Sequence, residues 1–142
     1  MNNISVIKEL VRAYQGFETY SSAHIRQLGL TPVQFDVIAT LGNQPPMSYK
    51  QLGKRTLISK SSLTGVVERM ITKGFIVTLE NPEDARSLLL KLTAKGQRVF
   101  EKVFPEHLAY LERAFKKLPV KRLKEITESL IELKSIFNEP RS

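Results

Sequence analysis

The stretch SYKQLGKRTLISKSSLTGVVERMITKGFIVTLENPEDARSLLLKL, residues 48–92, decides the fold of this chain. Ser48 and Gln51 have the spacing of a reciprocal N-terminal cap, which predicts the start of a short helix. The hydroxyl of Ser59 is placed to cap a second helix, and Gly74 suits its left-handed end. Because so few residues separate the two helices, the stretch predicts a helix-turn-helix.

The second half of this stretch predicts a β-hairpin. Phe75 to Leu79 and Ser87 to Leu92 are β-prone or apolar runs, and they flank a polar segment that contains Asn81-Pro82, a pair that favours a turn. A hairpin that follows a helix-turn-helix is a wing. The sequence therefore predicts a winged helix-turn-helix.

Helical periodicity is also present upstream of the predicted winged helix-turn-helix. Apolar residues from Ile4 to Leu28 follow a period of 3.6 and predict one long amphipathic helix, with Gly29 as its stop. Thr31 and Gln34 repeat the reciprocal cap around Pro32, and predict a second helix.

The C-terminal third predicts two more helices. Thr93 caps a long one, which we expect to kink at Pro105 because proline removes a backbone hydrogen bond. The last helix runs from about Val120 to Asn138. Its apolar residues follow a three-four repeat like a coiled-coil seam, namely Leu123, Ile126, Leu130, Leu133 and Phe137. The chain as a whole is predicted to be mainly α-helical, with the small hairpin as its β-structure.

Composition excludes several classes of function. The 142 residues include no cysteine and two histidines, His24 and His107, which argues against disulfides, thiol sensing and zinc binding. No run of apolar residues is long enough to span a membrane, so we expect a soluble, cytoplasmic protein. An enzyme is the weakest interpretation, because no phosphate-binding glycine loop, paired metal ligands or carboxylate dyad is evident. No cofactor is expected.

The positive charge is concentrated in the middle of the chain. The net charge is +8, and residues 45–98 hold ten basic and four acidic side chains. A basic region of this kind is typical of nucleic-acid binding. A solvated basic face is an equally good explanation of charge alone.

The second helix of the helix-turn-helix has a face suited to a DNA major groove. Its apolar face is predicted to pack inward, whereas the opposite face carries small polar side chains that allow close approach to base edges. That face comprises Lys60, Ser61, Ser62, Thr64, Gly65, Glu68, Arg69 and Thr72. An ordinary capped surface helix is the alternative, since serine and threonine also cluster at helix starts.

The wing tip favours DNA binding. It carries Asp84-Ala85-Arg86, and a guanidinium on a two-stranded arm can enter a narrow minor groove. Asp84 is placed to hold Arg86 through an ion pair. A polar hairpin tip also needs charge for solubility, which is the simpler interpretation.

These motifs together resemble the MarR (multiple antibiotic resistance regulator) family. The resemblance is carried by residues 59–64, 68–70, 73–76, 82–87 and 92–96, of which the Asp-x-Arg wing followed by Leu-Thr-x-x-Gly is most specific. It implies an intertwined homodimer that binds pseudo-palindromic operators of double-stranded DNA, usually as a repressor. A single domain of residues 1–142 is then expected, in which 1–28 and 100–138 dimerise and 32–98 form the DNA-binding lobe.

The expected DNA-binding residues combine this resemblance with the charge pattern. They are Lys50, Lys54, Arg55, Ser59, Lys60, Ser61, Ser62, Thr64, Gly65, Arg69, Lys73, Asp84 and Arg86.

The resemblance also implies release of DNA by a small aromatic or phenolic ligand. Side chains on or near the first helix are candidates for its pocket, with Arg26 or His24 facing a carboxylate. They are Tyr14, Phe17, Tyr20, His24 and Arg26. Packing of the aromatic residues in a dimer core is the alternative. A winged-helix module that binds proteins instead of DNA also stays open, because the fold alone does not dictate the partner.

Overall fold

The computed structural model describes residues 3–57 and 63–138. It contains six helices and three strands within these residues. In chain order they are α1 (Asn3–Gln27), α2 (Pro32–Leu41), β1 (Met47–Ser48), α3 (Tyr49–Arg55), α4 (Leu63–Thr72), β2 (Ile76–Glu80), β3 (Leu88–Leu92), α5 (Ala94–Phe115) and α6 (Val120–Phe137). The predicted class, mainly α with a winged helix-turn-helix, is confirmed. The chain forms two compact units, Met1–His107 and Leu108–Ser142.

Both predicted reciprocal caps are present. At the start of α2, the Gln34 amide donates to Thr31 Oγ1 at 3.1 Å, and the Thr31 amide donates to Gln34 Oε1 at 3.0 Å. Ser48 and Gln51 make the same pair of bonds at α3, at 3.2 and 2.9 Å. Such bonds satisfy amides that a helix start leaves without a partner, which fixes where each helix begins.

Two glycines end helices as predicted. Gly29 and Gly74 have φ angles of 87° and 85°, in the left-handed region that glycine adopts without steric cost. The predicted Ser59 cap lies outside the described residues. In the described chain, α4 begins at Leu63.

The sheet has one more strand than the sequence predicted. Its order is β1-β3-β2, and both pairings are antiparallel. Leu90, at the centre of β3, pairs with Met47 on one side and Thr78 on the other. The sequence analysis missed β1 because two residues show no period, and pairing with a strand more than 40 residues further along the chain leaves no local signal.

The core of the first unit lies where the helix-turn-helix, α2 and the sheet meet. The buried cluster includes Val37 and Ile38 of α2, Val67 and Met70 of α4, and Leu90 of β3. Helices and sheet thus each bury one apolar face against the others. The opposite face of α4 is left for other contacts.

The ends of the chain expose many apolar side chains. On α1 they are Ile4, Val6, Ile7, Val11, Tyr14 and Phe17. In the second unit, α6 has no buried residue, and Leu130, Ile131, Ile136 and Phe137 are exposed. Each of the two helices therefore exposes apolar residues in a number that is typical of an interface. Among the described helices, none has the length and hydropathy that a membrane span requires.

Candidate nucleic-acid interface

Helix α4 presents one buried and one exposed face. Leu63, Val67 and Met70 are 8%, 0% and 1% exposed, as the sequence predicted for its inner face. The side chains of Thr64 and Arg69 project into solvent on the opposite face, as do those of Glu68 and Thr72. The core therefore fixes the helix through one face and leaves short polar groups and one arginine free to meet a ligand.

Gly65 lets an arginine lie close to the α4 backbone. A Cβ built on Gly65 would lie 3.5 Å from Nη1 of Arg69, one helical turn later. The Arg69 guanidinium thus lies along the exposed face above the glycine. This arrangement keeps the face flat while it presents a cation, which suits entry into a groove.

The wing tip is an ordered turn that projects an arginine. The Asp84 Oδ1 atom accepts the Arg86 amide at 3.0 Å and lies 3.6 Å from Arg86 Nε, so the expected ion pair is present. Asn81 supports the turn, since its Oδ1 accepts the Glu83 amide and its Nδ2 donates to Ser87 Oγ. The Arg86 side chain is 95% exposed. The backbone of the tip is therefore held while its guanidinium stays in water.

A cleft connects the wing with the start of α3. Its volume is about 630 Å³, and Lys50 from α3 and Arg86 from the wing both line it. Ser48, Gln51 and Asn81 add neutral polar groups to the lining, and Asp84 adds a carboxylate next to Arg86. An anionic chain following this cleft would meet a cation from each side.

Of the remaining predicted DNA contacts, some are exposed in the structure and others lie outside the described residues. Lys54 and Arg55, in the last turn of α3, and Lys73, after α4, are exposed. The Lys73 carbonyl accepts a bond from Lys95 Nζ at 2.8 Å, and the Lys95 ammonium lies 4.6 Å from the Phe75 ring centre. Lys95 thereby ties the start of α5 to the end of α4. Four predicted contacts, Ser59, Lys60, Ser61 and Ser62, lie outside the described residues.

Glu68 places a negative charge on the exposed face of α4. Burial raises the pKa of Tyr49 on α3, and the charge of Glu68 raises it further. The carboxylate therefore lies near the start of α3 as well as on the exposed face of α4. A polyanion approaching this face would be repelled by it.

The candidate ligand residues of α1 meet a histidine that the sequence analysis did not connect with them. His24 Nδ1 lies 3.0 Å from His107 Nδ1, and Ser21 Oγ lies 2.9 Å from His107 Nε2. The Phe35 ring contacts His107 edge-on. Burial lowers the pKa of His107, and the charge of His24 lowers it further. Ser21 and His24 share one helix face by their spacing, but nothing local links them to residue 107.

The five candidate ligand residues do not converge on one place. Tyr14 and Phe17 are 48% and 42% exposed, whereas Tyr20 and His24 are half-buried. Arg26 lies apart from them, because residues two apart on a helix point in widely different directions. It lines a separate shallow hollow with Glu18, Thr19, Ser22 and Ala23. Of the two residues expected to face a carboxylate, His24 is the one that contacts His107.

Within the described residues, no group of three or more His, Asp or Glu side chains is placed to hold a metal ion.

Comparison with known proteins assigns the central part of this chain to a family. The model of the MarR family matches residues 28–87, which comprise α2, the helix-turn-helix and most of the wing. Residues 28–87 belong to the MarR family. This is a family of helix-turn-helix transcriptional regulators and not of enzymes.

Several similar proteins align with almost the whole length of this chain. The homoprotocatechuate degradative operon repressor of Escherichia coli is 27% identical over 87% of this chain and 86% of its own. A MarR-like transcription regulator from Bacillus cereus is 25% identical, with a TM-score of 0.82 over 97% and 99% of the two chains. BpsR from Bordetella bronchiseptica, whose DNA binding is regulated by 6-hydroxynicotinic acid, is 27% identical, with a TM-score of 0.79 over 91% and 92%.

Proposed function

We propose that this chain is a cytoplasmic, homodimeric repressor that binds a pseudo-palindromic operator. One observation carries the proposal: the outward face of α4 and the tip of the wing present Arg69 and Arg86 on ordered supports beside small polar groups. Major-groove reading by a helix and minor-groove contact by an arginine together give sequence-specific recognition. The repressor role is supported by the similarity to the E. coli operon repressor.

Within this proposal the chain divides its tasks by region. Residues 32–98 contact DNA, and residues 1–28 and 100–138 form the interface with a second copy. Lys50, Lys54, Arg55, Lys60 and Lys73 contact phosphates, which supplies affinity and salt dependence. The face from Ser61 to Arg69 reads bases, and Arg86, held by Asp84, enters the minor groove.

A two-fold dimer sets the shape of the operator. Its two α4 helices enter successive major grooves about one helical turn, or roughly 34 Å, apart. The operator half-sites are then inverted repeats with that separation.

A small aromatic ligand releases the protein from DNA in this proposal. BpsR, which is similar over most of the chain, responds to 6-hydroxynicotinic acid. The half-buried Tyr20 and His24, with Tyr14 and Phe17 on the same helix, offer aromatic and hydrogen-bonding surface for such a molecule. The ligand lowers operator affinity only by its preference for the state that cannot bind DNA. A panel of hydroxylated aromatic acids, added to a preformed complex, tests this; no release by any of them would remove the ligand from the proposal.

The DNA contacts are tested with matched arginine variants. Arg86→Ala should weaken binding to an operator by about 1 to 3 kcal/mol, because it removes a groove contact. Arg122→Ala is the control, since Arg122 on α6 also lies in an exposed ion pair, with Glu125 at 3.3 Å. Fluorescence anisotropy with a duplex selected from a random pool measures both. Equal affinity in the two variants would contradict the assignment of Arg86.

Lys60→Ala tests the phosphate contacts separately. It should reduce the slope of log affinity against log salt by about one, with little effect on base preference. If the protein binds no duplex even at low salt, the protein-interaction module becomes the better explanation of the fold.

A further inference from the structure

Helix α3 is followed by Thr56 and Leu57, the last residues that the structure describes before α4. Thr56 ends α3, its side chain is buried, and its amide donates to the Leu52 carbonyl at 2.9 Å. The next residue, Leu57, is 88% exposed. Burial of an apolar side chain therefore does not hold the chain at residue 57.

A buried carboxylate on α2 holds the chain at residue 57 instead. Asp36 is 6% exposed, and its Oδ1 accepts the Leu57 amide at 3.1 Å across 21 residues of sequence. A carboxylate in such a place requires hydrogen bonds to offset its desolvation, and bonds of this charge-assisted kind are strong. The bond therefore gives residue 57 a defined position relative to α2.

The same helix, α2, also supports the recognition helix. Val37 and Ile38, the residues after Asp36, belong to the buried cluster that contains Val67 and Met70 of α4. Helix α2 thus contacts both the chain just after α3, at residue 57, and the inner face of α4. The charge of Asp36 also acts on Tyr14 of α1. The pKa of Tyr14 is raised chiefly by a hydrogen bond to Glu18, and the charge of Asp36 raises it further.

We propose that Asp36 is a positioning residue that sets the direction of α4 and thereby the discrimination between operator and other DNA. Base reading needs side chains within hydrogen-bond distance of particular edges, so a small rotation of α4 weakens it. Non-specific binding depends on charge and tolerates the same rotation. This inference rests on the proposed DNA-binding function and adds a residue that touches no DNA.

The first experiment compares Asp36→Ala with Asp36→Asn. Both are tested on a 40-base-pair duplex selected from a random pool by the native protein, and on a shuffled duplex of equal composition, at one salt concentration. Asp36→Ala should lower affinity for the selected duplex about tenfold and leave the shuffled duplex within about twofold. Asp36→Asn should retain most of the discrimination because its amide oxygen still accepts a hydrogen bond.

A second pair of variants removes the donor in place of the acceptor. Leu57→Pro deletes the amide hydrogen, and Thr56 already has the extended backbone, φ −67° and ψ 145°, that a following proline requires. Leu57→Ala is its control, because it keeps the amide and removes only an exposed side chain. Proline should reduce the ratio of selected to shuffled affinity, and alanine should leave it near the native value. This pair decides the matter if Asp36→Ala fails to fold.

The readout separates positioning from loss of structure. A variant that merely unfolds in part loses active protein, and its affinities for both duplexes fall together. An unchanged ratio in Leu57→Pro, or in a folded Asp36→Ala, would overturn the assignment of Asp36 and leave the DNA-binding proposal standing. If the native protein itself prefers no duplex, the proposed function fails, and this inference fails with it.

Discussion

Single side chains at the candidate interface contribute to binding more than to folding. The Asp84–Arg86 pair joins a side chain that is 95% exposed to one that is 49% exposed, and exposed ion pairs add little stability. Likewise, Thr64 and Arg69 lie on the outer face of α4, away from the core. Substitutions there should change affinity while the fold persists.

Removing the charge of Glu68 should strengthen DNA binding. Glu68→Gln deletes a negative charge from the face proposed to enter the groove, and operator affinity should rise about two- to fivefold at low salt. Glu128→Gln on α6 makes the same charge change in the second unit, and should have no effect. A fall in affinity for Glu68→Gln would mean that the carboxylate accepts a hydrogen bond from a base such as cytosine.

His107 should make the fold less stable in mild acid. Its pKa is lowered in the folded chain, chiefly by burial, so between that pKa and about 6.5 the unfolded chain binds more protons. The stability that neutral His107 provides is therefore complete above about pH 6.5 and is lost as the pH falls below it. Urea unfolding from pH 8 to 5 at fixed protein concentration should show this decline, and His107→Gln should show a smaller one. An identical pH dependence in the two proteins would contradict the role of His107.

At the scale of elements, close backbone approach fixes how helices meet the sheet. Gly96, in the first turn of α5, is buried, and a Cβ there would clash with the Phe75 carbonyl oxygen. Thr93 also bonds across this junction, since its Oγ1 donates to the Gly74 carbonyl and accepts the Gly96 amide. The end of α4, the entry to β2 and the start of α5 thus form one compact joint.

Alanine at two helical glycines should have opposite effects. Gly96→Ala should destabilise the fold by about 1 to 3 kcal/mol, because backbone must move to admit the methyl group. Gly16→Ala, in the middle of α1, meets no atom within 4 Å and should stabilise by about 0.5 to 1 kcal/mol through helix propensity. Thermal unfolding of the two variants tests the joint. Equal shifts of the same sign would show that Gly96 is not closely packed.

At the scale of the whole molecule, the exposed apolar residues favour association with a second copy of the chain, which would bury them. Helix α6 buries none of its residues, although it carries the regular repeat of a packed helix. On α1, Ser21 and Ile25 are the buried residues, and both lie toward its C-terminal end. These surfaces would favour aggregation of a monomer, whereas in a dimer they would be buried.

A charge on the apolar face of α6 should separate the dimer. Leu130→Lys places an ammonium in the predicted seam, and should shift the protein toward monomer and weaken operator binding together, since half-sites are then bound one at a time. Ser135→Lys adds the same charge at an exposed position as a control. Sedimentation equilibrium measures the association, and a Leu130→Lys variant that stays as dimeric as the control would remove α6 from the interface.

The sequence by itself determined most of the helices and strands and the presence of a winged helix-turn-helix. Reciprocal caps at Thr31 and Ser48, left-handed glycines at 29 and 74, and helical periodicity are local signals, because each depends on residues within a few positions. The Asp84–Arg86 pair is equally local, and it was predicted for that reason.

Only the tertiary structure decided what joins distant segments. The pairing of Met47 with Leu90, the bond from Leu57 to Asp36 and the contact of His24 with His107 leave no trace in neighbouring sequence. Each depends on how elements pack in space, and packing selects partners that periodicity and capping do not specify. The helix-turn-helix is thus encoded largely by local signals, whereas the bond that joins residue 57 to a carboxylate 21 residues earlier depends on packing.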